Sequence, residues 1–443
     1  MRHFPVQASS AVLLLWVLTC LTSCGSGSSA DRNGAASSEA ATGYSWTYMI
    51  YMAADNNLSD AAEADINEME RVGSTADVSV AVQAEFMPAV SEGLPASTVR
   101  GRIVRDNDRT TIGSWYSEIG DRNMADPATL TEFITWAARE YPADHYALVL
   151  WSHGSGWKDG ETGSPILDKG MIVDTDSEGS SYRMSLQDIA DAVGNSSVFF
   201  DVIDFDSCLM GMYEVAYEFK DLASYLVFSE DVYPVSGDSY DTILKELTEN
   251  PGMDGALLAQ TIVEKCMEYY RTRSISVTKS AVGTAQIDEF HAGICTLAEY
   301  LSDHMSVEGP NIESARAESV AYQYPENHDL GDFLEKLDGY TGSTELKTII
   351  GQVAESLSQV VVSSKVFSLN ADDKINDSMG VAIYLPSGTQ ASLGEIDRYS
   401  RLSCSRSASF TWANLVNQIV TGNPVISRES AIGSSTALYT EGF

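Results

Sequence analysis

Two short stretches hold the residues best suited to chemistry: His153 in "VLWSHGSGW" (149–157) and, 55 positions later, Cys208 in "VFFDVIDFDSCLMGMYEVAYEF" (198–219). Each residue follows an apolar run of the length expected of a buried strand. A thiol attacks as its thiolate, and a free pKa of about 8.5 means it needs local help at neutral pH. A nearby imidazole supplies that help and can later protonate a leaving amine. In such an acyl transfer the backbone N–H groups of Gly154 and Cys208 would be donors to the oxyanion, provided they point at one spot. Gly154 and Gly156 carry no side chain, so the turn after His153 is open to close approach.

These residues need a frame that brings two strand ends together. "WTYMIYMAAD" (46–55) and "DVSVAVQAEF" (77–86) read as strands covered on both faces, with a helix over 56–72 between them. "VRGRIVR" and "RTTIGSW" read as a pair of short strands around a turn at Asn107. Asp126 and Pro127 are the N-cap and first residue of a helix over 128–141. "YALVLWS" (146–152) is the next strand, and a helix over 185–195 leads to the strand 198–205. This alternation predicts a doubly wound α/β sheet, and a right-handed crossover would set both strand tips on one edge. Beyond it lie helical segments near 254–272, 287–304 and 343–361 and a late strand, "GVAIYLP" (380–386).

The 443 residues include 63 Asp plus Glu against 27 Lys plus Arg, a formal net charge of −36. Such a chain lacks the cations to neutralise phosphates, so a nucleic-acid partner is not expected. "AVLLLWVLTC" (11–20) is short for a membrane span and reads as the core of a secretory signal. It runs into "LTSC" (21–24), which resembles the lipobox of bacterial lipoproteins and makes Cys24 the lipidation residue. An ordinary signal peptide cut near Ser23 is the alternative. Residues 1–23 are thus a signal, 24–43 a flexible tether, and the mature chain is expected in the cell envelope, on a lipid anchor. Cys208, Cys266, Cys295 and Cys404 leave room for up to two disulfides in an oxidising compartment, or one if Cys208 is kept as a thiol.

The motifs His-Gly-x-Gly-Trp and Asp-x-Cys-Leu-Met-x-x-x-Glu, with "WTYMIYMAADNNL" and "GVAIYLP", resemble the clostripain family of cysteine peptidases over most of 46–420. The resemblance implies a caspase-like α/β/α sandwich with a mostly parallel sheet, a core over 44–270 and a C-terminal region, 271–443, packed on it. It also implies endopeptidase cleavage after Arg or Lys by His153 and Cys208, with Gly154 in the oxyanion hole and Glu214 structural. Asp206 shares a strand face with Cys208 and becomes an acid of the substrate pocket. A second family acid aligns with Ser236, so Asp238 is the substitute. No cofactor is expected. Calcium is an option through Asp174 and Asp176, because some family members need it. Lys158 and Lys169 lie in a Gly-rich loop, where Lys169 is the expected site of self-processing. His328 is expected to be structural, the protein a monomer, and its partners peptides. A catalytically silent surface lipoprotein that binds peptide or glycan is the rival reading.

Overall fold

The computed structural model describes residues 43–87, 97–114, 116–158, 171–175 and 181–423. The Cys24 and Lys169 expectations, and that for Asp176, lie outside the described residues. The strands, in chain order, are β1 (Tyr44–Ala54), β2 (Val78–Phe86), β3 (Val99–Arg102), β4 (Tyr116–Glu118), β5 (Ala143–Trp151), β6 (Met171–Thr175), β7 (Ser181–Met184), β8 (Phe200–Asp206), β9 (Ala223–Phe228), β10 (Val277–Gly283), β11 (Asn327–Asp329), β12 (Val361–Phe367) and β13 (Ala382–Tyr384). Nine of them form one sheet in the order β12-β10-β9-β8-β5-β1-β2-β3-β4. Its five central strands, β9-β8-β5-β1-β2, are parallel, and the flanking pairs are antiparallel.

Local sequence accounts for the helices beside this sheet. The helix α1 (Ser59–Val72) buries Ala62, Asp65, Ile66 and Met69 at helical spacing. In α2 (Pro127–Glu140), Asp126 accepts from Ala128 N–H with Pro127 in the first turn, as its sequence predicts. A Ser185–Asp188 capping box opens α3 (Leu186–Asn195). The helix α4 (Tyr213–Glu218) follows the Cys208 turn, and α5 (Tyr240–Glu249) and α6 (Gly255–Arg273) complete one covering layer. One sheet face, with Tyr48, Ile50, Val149 and Val202, packs under α1, α5 and α6. The opposite face, with Met49, Leu148, Ile203 and Phe205, packs on the other helices. This is the expected α/β/α sandwich.

Of the pair of short strands expected at 99–105 and 109–115, the first is β3, and its partner β4 lies beyond the second run, at Tyr116–Glu118. Beyond residue 270, β10 and β12 complete the same sheet as the strands before it. The late strand is shorter than predicted and belongs to a separate two-stranded sheet with β11. Cys208, Cys266, Cys295 and Cys404 are all free of disulfides. Burial explains two of them: Cys266 and Cys404 sit in packed cores, at 0% and 3% exposure, where they serve as small apolar groups.

Lys158 also differs from its prediction as an exposed loop residue. It is buried, with its Nζ paired to Glu326 and, at 3.3 Å, to Glu395. Tyr324 and Tyr384 present ring faces to the same ammonium at 5.1 and 5.3 Å. The turn that begins at His153 is thereby fastened to the C-terminal part of the chain. Glu214, in α4, makes a second fastening: its Oε1 accepts from Tyr384 N–H (3.0 Å) and Tyr399 O–H (2.6 Å). Its role is structural, as expected. Removing the Lys158 ammonium leaves Glu326 buried without its cation. Lys158→Ala is therefore expected to lower unfolding stability by about 3 kcal/mol, measured by urea denaturation. A loss below about 1 kcal/mol would mean that the pair contributes no more than an exposed one.

Candidate active site

Parallel pairing sets the geometry of the site. Met52, Trp151 and Asp206 form one row across β1, β5 and β8. His153 and Cys208 each lie two residues beyond that row, so they emerge level at the same sheet edge. The chain runs from β1 to β2 on one side and later enters β5 on the other, which makes the β1/β5 boundary a topological switch point. Crevices open at such points, outside the carboxyl ends of strands. Here a cleft of about 200 Å³ is lined by Asn57, Trp151, His153, Asp206, Cys208 and Tyr233, among others. A larger, mainly apolar cavity of about 570 Å³ lies between the helices Leu330–Tyr340 and Thr344–Val360, and neither His153 nor Cys208 lines it.

The two glycines are where the turns interlock. A methyl group on Gly154 would lie 2.2 Å from Cys208 O and 3.0 Å from Cys208 N. Gly156 has φ +65°, and a methyl there would meet Met212 Sδ at 2.4 Å and Leu209 O at 3.0 Å. The neighbour that the open backbone admits is thus the Cys208 turn itself. That turn is tight: Leu209 is in the left-handed region at φ +64°, unusual for a branched side chain, and its N–H donates to Asp231 O. Tyr233 holds the sulfur from the next loop. Its N–H donates to Cys208 Sγ at 3.3 Å, and its carbonyl lies 3.6 Å from the same atom.

His153 Nε2 donates to Asn57 Oδ1 at 2.8 Å. An amide oxygen only accepts, so this bond fixes the proton on Nε2 and puts the basic lone pair of the neutral ring on Nδ1. Sequence reasoning missed Asn57. Its signal was present, because Asn57 follows the apolar run of β1 as His153 follows that of β5. Two side chains brace its neighbourhood: Asn56 Nδ2 donates to Ala53 O and Val173 O, and Ser152 Oγ donates to Ala53 O.

Below the cleft lies a layer of buried acids. Asp206 lines the cleft, and its Oδ2 accepts from Asp238 N–H (3.0 Å) and Tyr240 O–H (2.6 Å). Burial and then the nearby Asp238 charge push its carboxyl up to about 7. Asp238 is not among the residues that line the cleft. It is fully buried, and its Oδ1 takes hydrogen bonds from Lys279 Nζ (2.9 Å) and Tyr233 O–H (2.6 Å). Burial opposes its charge, but Lys279 and these hydrogen bonds hold it down at about 2. Its place as the second pocket acid is therefore corrected: it is a counter-ion of Lys279. Ser236 is exposed. Asp174 uses Oδ2 to accept from Met124 N–H, and His328 is buried against Ser319 Oγ at 3.0 Å, both structural contacts. No group of three or more metal-ligating side chains occurs among the described residues.

A family model, that of the clostripain family, matches residues 50–418. Clostripain of Hathewaya histolytica is 23% identical over 399 residues, covering 77% of this chain and 74% of that protein. Among solved structures, an inactive zymogen C11 protease from Parabacteroides distasonis superposes with a TM-score of 0.62 at 23% identity, over 82% of this chain and 97% of that one. A secreted C11 cysteine protease from Bacteroides thetaiotaomicron, solved with an irreversible peptide inhibitor, gives 0.61 at 20% identity, over 82% and 98%. These likenesses establish the fold. The interlocked glycine supplies a direct check on the site. Gly154→Ala forces backbone against backbone and is expected to slow alkylation of Cys208 by a peptidyl electrophile about 100-fold, the effect of displacing a reacting group by about 1 Å. A rate equal to wild type would mean that the two turns separate freely.

Proposed function

Since this chain belongs to the clostripain family of cysteine peptidases, we propose that it is an exported endopeptidase that cuts after Arg or Lys through a Cys208–His153 dyad. The observation that carries this reading is the shared cleft at the switch point, with His153 and Cys208 level at its edge and Asp206 in its wall. In the proposed reaction His153 Nδ1 takes the thiol proton and Cys208 Sγ attacks the scissile carbonyl. The tetrahedral oxyanion faces the backbone N–H groups of Gly154 and Cys208. His153 then gives the proton to the leaving amine, which departs and leaves a thioester on Cys208. Water hydrolyses that thioester with His153 as base, restoring the thiol.

Asp206 is the acid suited to an Arg or Lys side chain, since a carboxylate pairs with a guanidinium or ammonium through charge-assisted hydrogen bonds. Lys169 remains the proposed self-processing site; the anchored Lys158 is no longer a competitor. Asn57 is a positioning residue: without it His153 loses the acceptor that holds the proton on Nε2. Purified mature protein is expected to hydrolyse an Arg- or Lys-terminated fluorogenic peptide, with no turnover in Cys208→Ala. Asn57→Ala is expected to lower kcat by about 10- to 100-fold, within the contribution of general acid–base catalysis, with KM little changed and Asn57→Asp recovering part of the loss. Turnover intact in Cys208→Ala would end the dyad reading, and an inert wild type would restore the silent binding protein.

Membrane attachment is proposed through Cys24 alone. No helix among the described residues is long and apolar enough to cross a membrane. Cys24→Ala is expected to move the protein from the membrane fraction to the soluble one and to abolish metabolic labelling with a fatty acid. Continued sedimentation with membranes, with no label in wild type, would exclude Cys24 as the acylated residue.

A further inference from the structure

Asp65 lies on the inward face of α1 with 2% of its surface exposed. Its Oδ2 accepts from Trp151 Nε1 at 2.8 Å, and Trp151 lines the cleft. That oxygen and Asp206 Oδ2 both border the space beside Gly237. A methyl group built on Gly237 would stand 3.0 Å from Asp65 Oδ2 and 2.8 Å from Asp206 Oδ2, so both oxygens surround one point. Gly237 has φ +55° and lines the cleft. Among the described residues neither carboxyl group forms an ion pair, and neither Oδ1 takes a hydrogen bond.

Among the described residues, the positive charges near these acids have other partners: Arg71 pairs with Asp241 at 2.7 Å, and Arg273 lies over the ring of Tyr269, which itself faces Asp65, and acts on Glu68. Glu68 shares α1 with Asp65, and Asp238 lies across from both acids. Lys279, from β10, is the nearby cation, and it is committed to Asp204 and Asp238 at 3.0 and 2.9 Å. Tyr48 on β1, Tyr240 on α5, and Cys266 and Tyr270 on α6 also face this layer, and burial raises all four, so they stay neutral. Two ionised carboxylates this close, dry and without a cation would repel strongly; a shared proton relieves the repulsion.

We propose that Asp65 sets the charge of Asp206: the two carboxyl groups hold one proton between them while the cleft is empty, and release it to solvent when a guanidinium or ammonium side chain enters. The proposal rests on the reading of Asp206 as the acid that receives a basic side chain. Asp65 acts through Asp206 and is a positioning residue. It fills part of the role of the family acid that Ser236 lacks, from a helix instead of from the loop. Burial and then the Asp206 charge raise Asp65 well above the usual carboxylate range, in the same direction as Asp206. Proton release makes binding of a cation tighter as pH rises, because the doubly ionised pair is the form that binds.

Butylguanidine, an arginine side chain without its backbone, is a suitable probe. Its inhibition constant against wild type is expected to fall about tenfold from pH 6 to pH 8, as one linked proton requires. In Asp65→Asn, which keeps an acceptor for Trp151 and removes only the charge, the change is expected to shrink to less than about fivefold, because burial and the Asp238 charge still raise Asp206 but the neighbouring carboxyl no longer does. Calorimetry of wild type in two buffers of different ionisation enthalpy should count about one proton released per butylguanidine at pH 6 and almost none at pH 8.5. That count stands even if the variant folds poorly. A pH-independent inhibition constant in wild type, or a slope unchanged in Asp65→Asn, overturns the shared proton. Absence of butylguanidine binding to wild type, or binding unaffected by Asp206→Asn, overturns instead the reading of Asp206 on which it rests.

Discussion

Lys279 is fully buried, and its ammonium lies between Asp204 on β8 and Asp238 in the loop before α5. Taking these charges out of water carries a large desolvation penalty, offset only where geometry is good and the other polar atoms are occupied. Here Tyr233 O–H and Cys266 Sγ add hydrogen bonds to Asp238, and the Tyr233 ring lies 4.5 Å from the ammonium. The cleft depends on this arrangement. Asp238 N–H donates to Asp206, and the Tyr233 backbone contacts Cys208 Sγ. One cation from a late strand therefore fixes the acid in the cleft wall and the loop beside the thiol.

The proposed reacting groups, His153 and Cys208, sit on turns rather than on strands, yet the turns have little freedom. Gly154 and Gly156 let the His153 turn press on the Cys208 turn, and Leu209 accepts a left-handed backbone to complete the fit. Beyond them Trp157 packs edge-on against Tyr384 and Tyr399, and Lys158 is held by Glu326 and Glu395. The C-terminal part of the chain thus stabilises the His153 side of the cleft, while β10 stabilises the Cys208 side. Such bracing keeps a reacting pair within the tolerance that proximity catalysis demands.

Electrostatics act at two ranges. The net charge of −36 attracts cations diffusely and is screened over about 8 Å at physiological salt. On the proposed reading, selection among side chains occurs at short range, in a buried wall where one carboxylate is worth more than many at the surface. A protonated acid there also avoids placing a full negative charge close to the thiol before substrate arrives, and such a charge would disfavour the thiolate.

From the sequence alone the strands β1, β2, β5 and β8, the helices between them and the proposed reacting pair could be read, whereas β9, β10 and β12 were not foreseen. Apolar runs of strand length and the Asp126–Pro127 cap are local signals, so they were legible without knowledge of distant contacts. His153 and Cys208 were legible because each ends such a run beside distinctive neighbours. Tertiary structure decided what depends on partners distant in sequence. Asp238 looked like a pocket acid until Lys279, 41 residues away, took its charge. Lys158 looked exposed until Glu326, 168 residues away, met it. Asn57 stood inside the quoted stretch 46–58 and Asp65 in no motif, and the importance of both comes from what β5 and β8 place beside them. A side chain's type is written in the chain, but its charge state and direction follow from burial and from the neighbours that folding supplies.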